Sequence, residues 1–127
     1  MVQEGFYYTK EHEWAKIDGD TATVGITDHA QQALGEITFV ELPPLDKKVA
    51  QNGELAVVES SKAASDVYSP LDGTVTAMNT ELQSRPELIN QACYGAGWIA
   101  KLRITNTKNV ENLMNAKQYE QYLTELK

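Results

Sequence analysis

Polar and apolar residues alternate in short runs along most of the chain. Ala22, Val24 and Ile26 interleave with Thr21, Thr23 and Gly25. Further on, Trp98, Ala100, Leu102 and Ile104 interleave with Ile99, Lys101 and Arg103. A period of two marks strands with one buried face. Glu13 to Ile17 is another β-rich stretch, joined to the first run by Asp18-Gly19-Asp20, which predicts a hairpin. Ile37 to Leu42 predicts a strand that stops at Pro43-Pro44, because proline cannot continue a ladder. Leu55 to Ser60, Ser65 to Tyr68 and Thr74 to Met78 complete the set, the last following a turn at Pro70-Leu71-Asp72-Gly73. The period changes in three places. "TDHAQQALG" predicts a short helix capped by Thr27 or Asp28 and ended by Gly35. "NTELQSRPELIN" predicts helical turns on the surface. In the tail, Val110, Leu113, Met114, Tyr119, Tyr122, Leu123 and Leu126 recur at threes and fours, the spacing of an amphipathic helix.

Many short strands with regular turns predict a mainly β protein, a small sandwich or barrel with short helices added. The chain has 127 residues, which suits a single domain over 1–127. Its core falls at about 22–104 and a C-terminal helical extension at about 108–127. A weak quasi-repeat, "KKVAQNGELAVVES" and "SDVYSPLDGTVTAM", places one turn glycine and one strand on either side of Lys62. That arrangement sets the lysine at the midpoint of a two-fold pattern.

Composition narrows the function. With 18 acidic against 11 basic side chains the formal charge is −7, which argues against nucleic-acid binding and suits docking on basic or mixed surfaces. The single cysteine, Cys93, rules out a disulfide within the chain and fits a reducing compartment. His12 and His29 have no metal-ligand spacing, so no metal is expected and no catalytic centre can be assembled. No apolar run approaches the roughly 20 residues of a membrane helix. The N-terminus lacks secretory or transit features. The expected location is a bacterial cytoplasm, or the mitochondrial matrix if the chain is a trimmed mature form.

The segment "ESSKAASD" stands between two strands, where a hairpin tip would display Lys62 among the small residues Ser60, Ser61, Ala63 and Ala64. Such a tip gives a modifying enzyme access to the amine and leaves an attached arm free to swing. Glu59 and Asp66 bracket it with negative charge. The alternative from the residues alone is an ordinary surface lysine.

The chain resembles the glycine cleavage H proteins. The matching segments, in family order, are "YTKEHEW", "ATVGITDHAQQALGEITFVELP", "VVESSKAASDVYSP", "PELIN" and "YGAGW". The resemblance implies a barrel-sandwich hybrid of the lipoyl-domain type, two small antiparallel sheets with a C-terminal helical segment. It implies that Lys62 carries lipoic acid as an amide. It also implies a non-catalytic carrier that serves the P protein (glycine decarboxylase), the T protein (aminomethyltransferase) and the L protein (dihydrolipoamide dehydrogenase). A lipoate ligase or a lipoyl/octanoyl transferase would load it, reading Glu59. Glu13 and Asp66 match acidic positions of the cleft that holds the cationic, aminomethylated arm. The chain departs from the family pattern at Glu11, Ala33 and Ser61, and in "NQACYGAGW" ahead of Tyr94-Gly95. In the last match Gly95 and Gly97 supply positive φ or close approach, and Trp98 packs on the core. A monomer is expected. Three other roles remain open: a relay that donates octanoyl or lipoyl groups to other dehydrogenase complexes, an unmodified interaction module, and a biotin carrier. The last is disfavoured because Ser61 and Ala63, rather than methionines, flank Lys62.

Overall fold

A computed structural model of the chain describes residues 2–126. Among these described residues, nine strands form two antiparallel sheets. The larger contains β1 (Tyr7–Tyr8), β2 (Glu13–Asp18), β3 (Thr21–Ile26), β5 (Lys48–Val49), β8 (Gly73–Met78) and β9 (Ala100–Ile104), in the order β1-β2-β3-β9-β8-β5. The smaller contains β4 (Ile37–Glu41), β6 (Glu54–Ser60) and β7 (Ala64–Tyr68), in the order β4-β6-β7. Four helices accompany them: α1 (Asp28–Leu34), α2 (Glu81–Ser84), α3 (Leu88–Ala92) and α4 (Ala116–Thr124), with a 3-10 helix over Thr107–Asn112. The architecture is mainly β, as the alternating patterns predict, and its two sheets are open rather than closed into a barrel.

Local chemistry explains the element ends. Asp18 pairs with Thr21, so Gly19 and Asp20 close the first hairpin, with Gly19 at a φ of 64°. Thr27 caps α1 by accepting the Ala30 N–H, and Gly35, at a φ of 82°, ends it by donating to the Gln31 carbonyl. The tail is not one helix. Asn115 opens α4 with a capping box in which its side chain accepts the Gln118 N–H and Gln118 reaches back.

The main core lies between the sheets and includes Val24, Val40, Val58, Val75 and Leu102. In β9, Ala100, Leu102 and Ile104 are buried while Lys101 and Arg103 are exposed, the alternation expected of it. Trp98 precedes that strand, packing half-buried in a second cluster beneath α4. There Tyr8 stacks on Tyr119, with centroids 4.5 Å apart. The segment expected to lie on the surface instead buries Leu82, Leu88 and Ile89, because α2 and α3 cover one end of the main core.

Charge segregates between the sheets. The four charged side chains of β4, β6 and β7 are all acidic: Glu41, Glu54, Glu59 and Asp66. The larger sheet is mixed: it holds all the strand cations, Lys16, Lys48, Lys101 and Arg103, together with Glu13 and Asp18.

Candidate functional site

Lys62 sits at the apex of two nested hairpins. The inner one pairs β6 with β7, ending at Glu59 opposite Ala64. The outer one pairs β5 with β8, Lys48 opposite Thr74. The quasi-repeat in the sequence is this nesting. Between the last pair, the tip residues Ser60 to Ala63 close through the Ser60 N–H to the Ala63 carbonyl at 2.8 Å. The Ser60 hydroxyl oxygen accepts the N–H groups of Lys62 and Ala63, each at 3.2 Å. A short polar side chain thus supplies the tie that turn glycines usually make unnecessary. Ser61, Lys62, Ala63 and Ala64 are all exposed.

The lysine stem does not stand free. Its Nζ donates to the Ala33 carbonyl at 3.3 Å, at the end of α1. A methyl group on Gly35 would approach its Cε to 3.2 Å, so the missing side chain leaves room for the stem. Ala33 therefore takes part through its backbone carbonyl.

Residues 57, 59, 64 and 66 share the outer face of the small sheet. Phe39, Glu59 and Ala64 form one cross-strand row, and Glu41, Val57 and Asp66 the next. Asp66 is exposed, two residues before Tyr68 on the same face of β7. Asp66 above all, with burial and the carboxylates of Glu54, Glu11 and Glu13, holds the Tyr68 phenol above its usual range. The far end of the strand from Lys62 is thus ringed by negative charge. Beyond it lies a cavity of about 560 Å³ lined by Thr9, Glu11, Gln51, Tyr68 and Met114, among others.

Glu13 lies beneath this end, only 2% exposed. Its carboxylate accepts the Thr9 hydroxyl at 2.5 Å and the Tyr68 N–H at 3.0 Å. Burial pushes its carboxyl up to about 7 despite those two bonds. Glu13 and Asp66 therefore converge on Tyr68 from two sides, one buried and one in solvent.

His12, at a φ of 71°, places Nδ1 2.7 Å from the Tyr119 hydroxyl, which also meets the Thr27 hydroxyl at 2.8 Å. The His29 ring lies 4.3 Å from that of His12. Burial, followed by the nearby His29, lowers His12 to about 4. Burial likewise pushes the Cys93 thiol up to about 11, leaving little thiolate near neutral pH.

These shifts predict an unusual pH response. In the unfolded chain Glu13 ionises near 4.5, in the folded chain near 7. Its contribution is full below 4.5 and is lost as pH rises to 7, about 3 kcal/mol in all. His12 acts oppositely: its contribution is full above 6.5 and is lost as pH falls to 4. In Glu13→Gln the amide oxygen accepts the Tyr68 N–H and the NH₂ donates to Thr9, with no charge to bury. That variant should exceed the wild type in stability at pH 8 and lose stability on acidification, while the wild type stays nearly level. Denaturant unfolding at pH 4, 6 and 8 checks this, and parallel curves for the two proteins would contradict it.

Comparison with known proteins bears on this geometry. Residues 6–126 match the family model described as glycine cleavage H-protein. A glycine cleavage system H protein of Halothermothrix orenii is 50% identical over 125 residues, covering 98% of each chain. One from Paramagnetospirillum magneticum is 51% identical over 119 residues, covering 94% of this chain and 95% of that one. The crystal structure of a glycine cleavage system H protein from Mycobacterium marinum superposes with a TM-score of 0.89 at 33% identity, covering 97% of this chain and 99% of that one.

Proposed function

The chain belongs to the glycine cleavage H-protein family, the lipoyl carriers of the glycine cleavage system, and on that premise we propose that Lys62 bears the lipoyl group. As a member of that family it is a carrier component and not itself the catalyst. The observation that supports the assignment most is the primary amine at the apex of two nested hairpins, exposed and flanked by small residues on a tied turn. These residues fit a long acyl group on that amine: Ser60 fixes the base of the arm, and Ser61, Ala63 and Ala64 leave its path open. When bound, a lipoyl group would supply a disulfide able to accept an aminomethyl group, and the partners it would serve are the P, T and L proteins. Tethering replaces diffusion between these partners by a high effective concentration.

The chain's own part is to orient and shelter. Asp66, on β7, lies four residues beyond Lys62 in the tip, at most about 13 Å away at the rise of a strand. A cationic amine arriving there meets Asp66, with Glu54 and Glu11 nearby. Glu13, poised near neutral pH, is drawn toward its carboxylate form by such a charge. Glu59, one row from the tip, serves the lipoate ligase or the lipoyl/octanoyl transferase as a recognition point. Residues 1–127 act as one carrier domain and as a monomer. The bacterial relatives support a cytoplasmic setting.

For the sheltering role, Asp66→Asn and Glu13→Gln in the lipoylated protein should each speed ammonia release from the aminomethyl-loaded form. The expected factor is about tenfold, the worth of one hydrogen bond to a charged group. Lipoyl occupancy, read by intact mass, should not change. Equal release rates in the wild type and both variants would place the loaded amine in open solvent.

A further inference from the structure

We propose that Phe39 anchors the enzyme that acylates Lys62, on a face whose partner surface is an apolar pocket ringed by lysine and arginine. The proposal rests on the assignment of Lys62 above. Phe39 is 50% exposed although it lies within a strand whose neighbours Ile37 and Val40 are 2% and 1% exposed. A β-bulge between Ile37 and Phe39 switches the phase of β4 and turns the ring outward. Its Cα lies opposite that of Glu59, about 5 Å away at ordinary antiparallel spacing, and Glu59 is three residues from Lys62.

On this face apolar and acidic positions alternate: Glu59 stands between Phe39 and Ala64 in one row, and Val57 between Glu41 and Asp66 in the next. No cation stands in any of the three strands. An exposed aromatic within a one-sign rim is the composition of an interface anchor. Geometry selects the occupant. Acylation joins the lysine ε-amine to the activated lipoyl carboxyl, forming the amide C–N bond, releasing AMP from the adenylate and a proton to solvent. An enzyme doing this must bring its centre to bonding distance of Nζ, so its body covers the strands that flank the hairpin. Enzymes that act on the far end of the arm have no such need.

The test uses the unlipoylated full chain as acceptor, with a purified lipoate–protein ligase, lipoate and ATP, and mass spectrometry as readout. Phe39→Ala should raise the acceptor KM about tenfold with kcat unchanged, as loss of an anchor does. Phe39→Leu should restore most of that loss. Leu45→Ala, which trims another exposed apolar side chain (53%), should change nothing. The Glu41→Gln/Glu59→Gln double variant should raise KM and flatten its dependence on salt. Since Phe39 is half exposed, unchanged thermal unfolding confirms that Phe39→Ala stays folded. A Phe39→Ala KM equal to that of the wild type, with acylation intact, overturns this inference alone. If the wild-type chain is not acylated, the Lys62 assignment falls and the inference falls with it.

Discussion

A Lys62→Arg protein is expected to fold as the wild type does and to support no glycine cleavage in a system reconstituted with the P, T and L proteins. Arginine preserves the positive charge but offers no amine that a lipoyl ligase acylates. The side chain is exposed at a tip whose closure is made by Ser60 and the backbone, so the substitution disturbs neither core nor turn. The contact of Nζ with the Ala33 carbonyl is one that a guanidinium also makes. Bicarbonate exchange with glycine carboxyl carbon, the readout at the decarboxylase step, should fall to the level seen without carrier. Turnover retained above that level would mean that another group carries the chemistry.

The largest effect on folding is expected from Gly97. A methyl group there would come within 2.6 Å of the Leu88 carbonyl oxygen, 2.8 Å of the Ile89 Cα and 3.0 Å of the Ala92 carbonyl oxygen. All three are backbone atoms in or beside α3, and Leu88 and Ile89 are buried in the main core, so the helix cannot move aside without opening it. Gly97→Ala should therefore cost about 3 kcal/mol and lower Tm by roughly 10 °C. Gly95, two residues earlier, has its nearest such neighbour at 4.0 Å, so Gly95→Ala should leave Tm within about a degree or two. Equal thermal melts for the two variants would contradict the close approach. The sequence suggests special roles for both glycines. Only at Gly97 does the space demand one, and neither has a φ in the left-handed region.

Where one face meets the core and the other meets water, the fold was readable. The alternation in β3 and β9, the Thr27 cap, the Gly35 stop and the hairpin around Lys62 each follow from a local rule that tertiary packing does not override. Three features resisted such reading. In β2, Glu13, Trp14 and Ala15 are consecutive and all buried, because packing covers this end of the strand on both faces. No period-two pattern survives that, and nothing local separates a buried Glu13 from a solvated strand-end charge. In β4 the bulge at Thr38 breaks the phase, so Phe39 is exposed although Ile37, two residues earlier, is buried. In the tail, the same threes and fours serve a 3-10 helix and α4, and only the Asn115–Gln118 capping pair marks the boundary. Within the site, the exposed hairpin tip around Lys62 was legible from its small neighbours, whereas the role proposed for that lysine comes from the family resemblance. The Ser60 tie had a local signal, a serine opening a tight turn. The Ala33 carbonyl and the Tyr119–His12–His29 contacts join positions far apart in sequence and had none.

We propose that the nested hairpins present one acylated amine, that of Lys62. Peptide mapping of the protein purified from its native cells, by tandem mass spectrometry, tests it most directly. The account predicts a lipoyl amide on the peptide that contains Lys62 and on no other lysine. A chain modified elsewhere, or one in which Lys62 is found only as the free amine while glycine cleavage runs in the same cells, would contradict it.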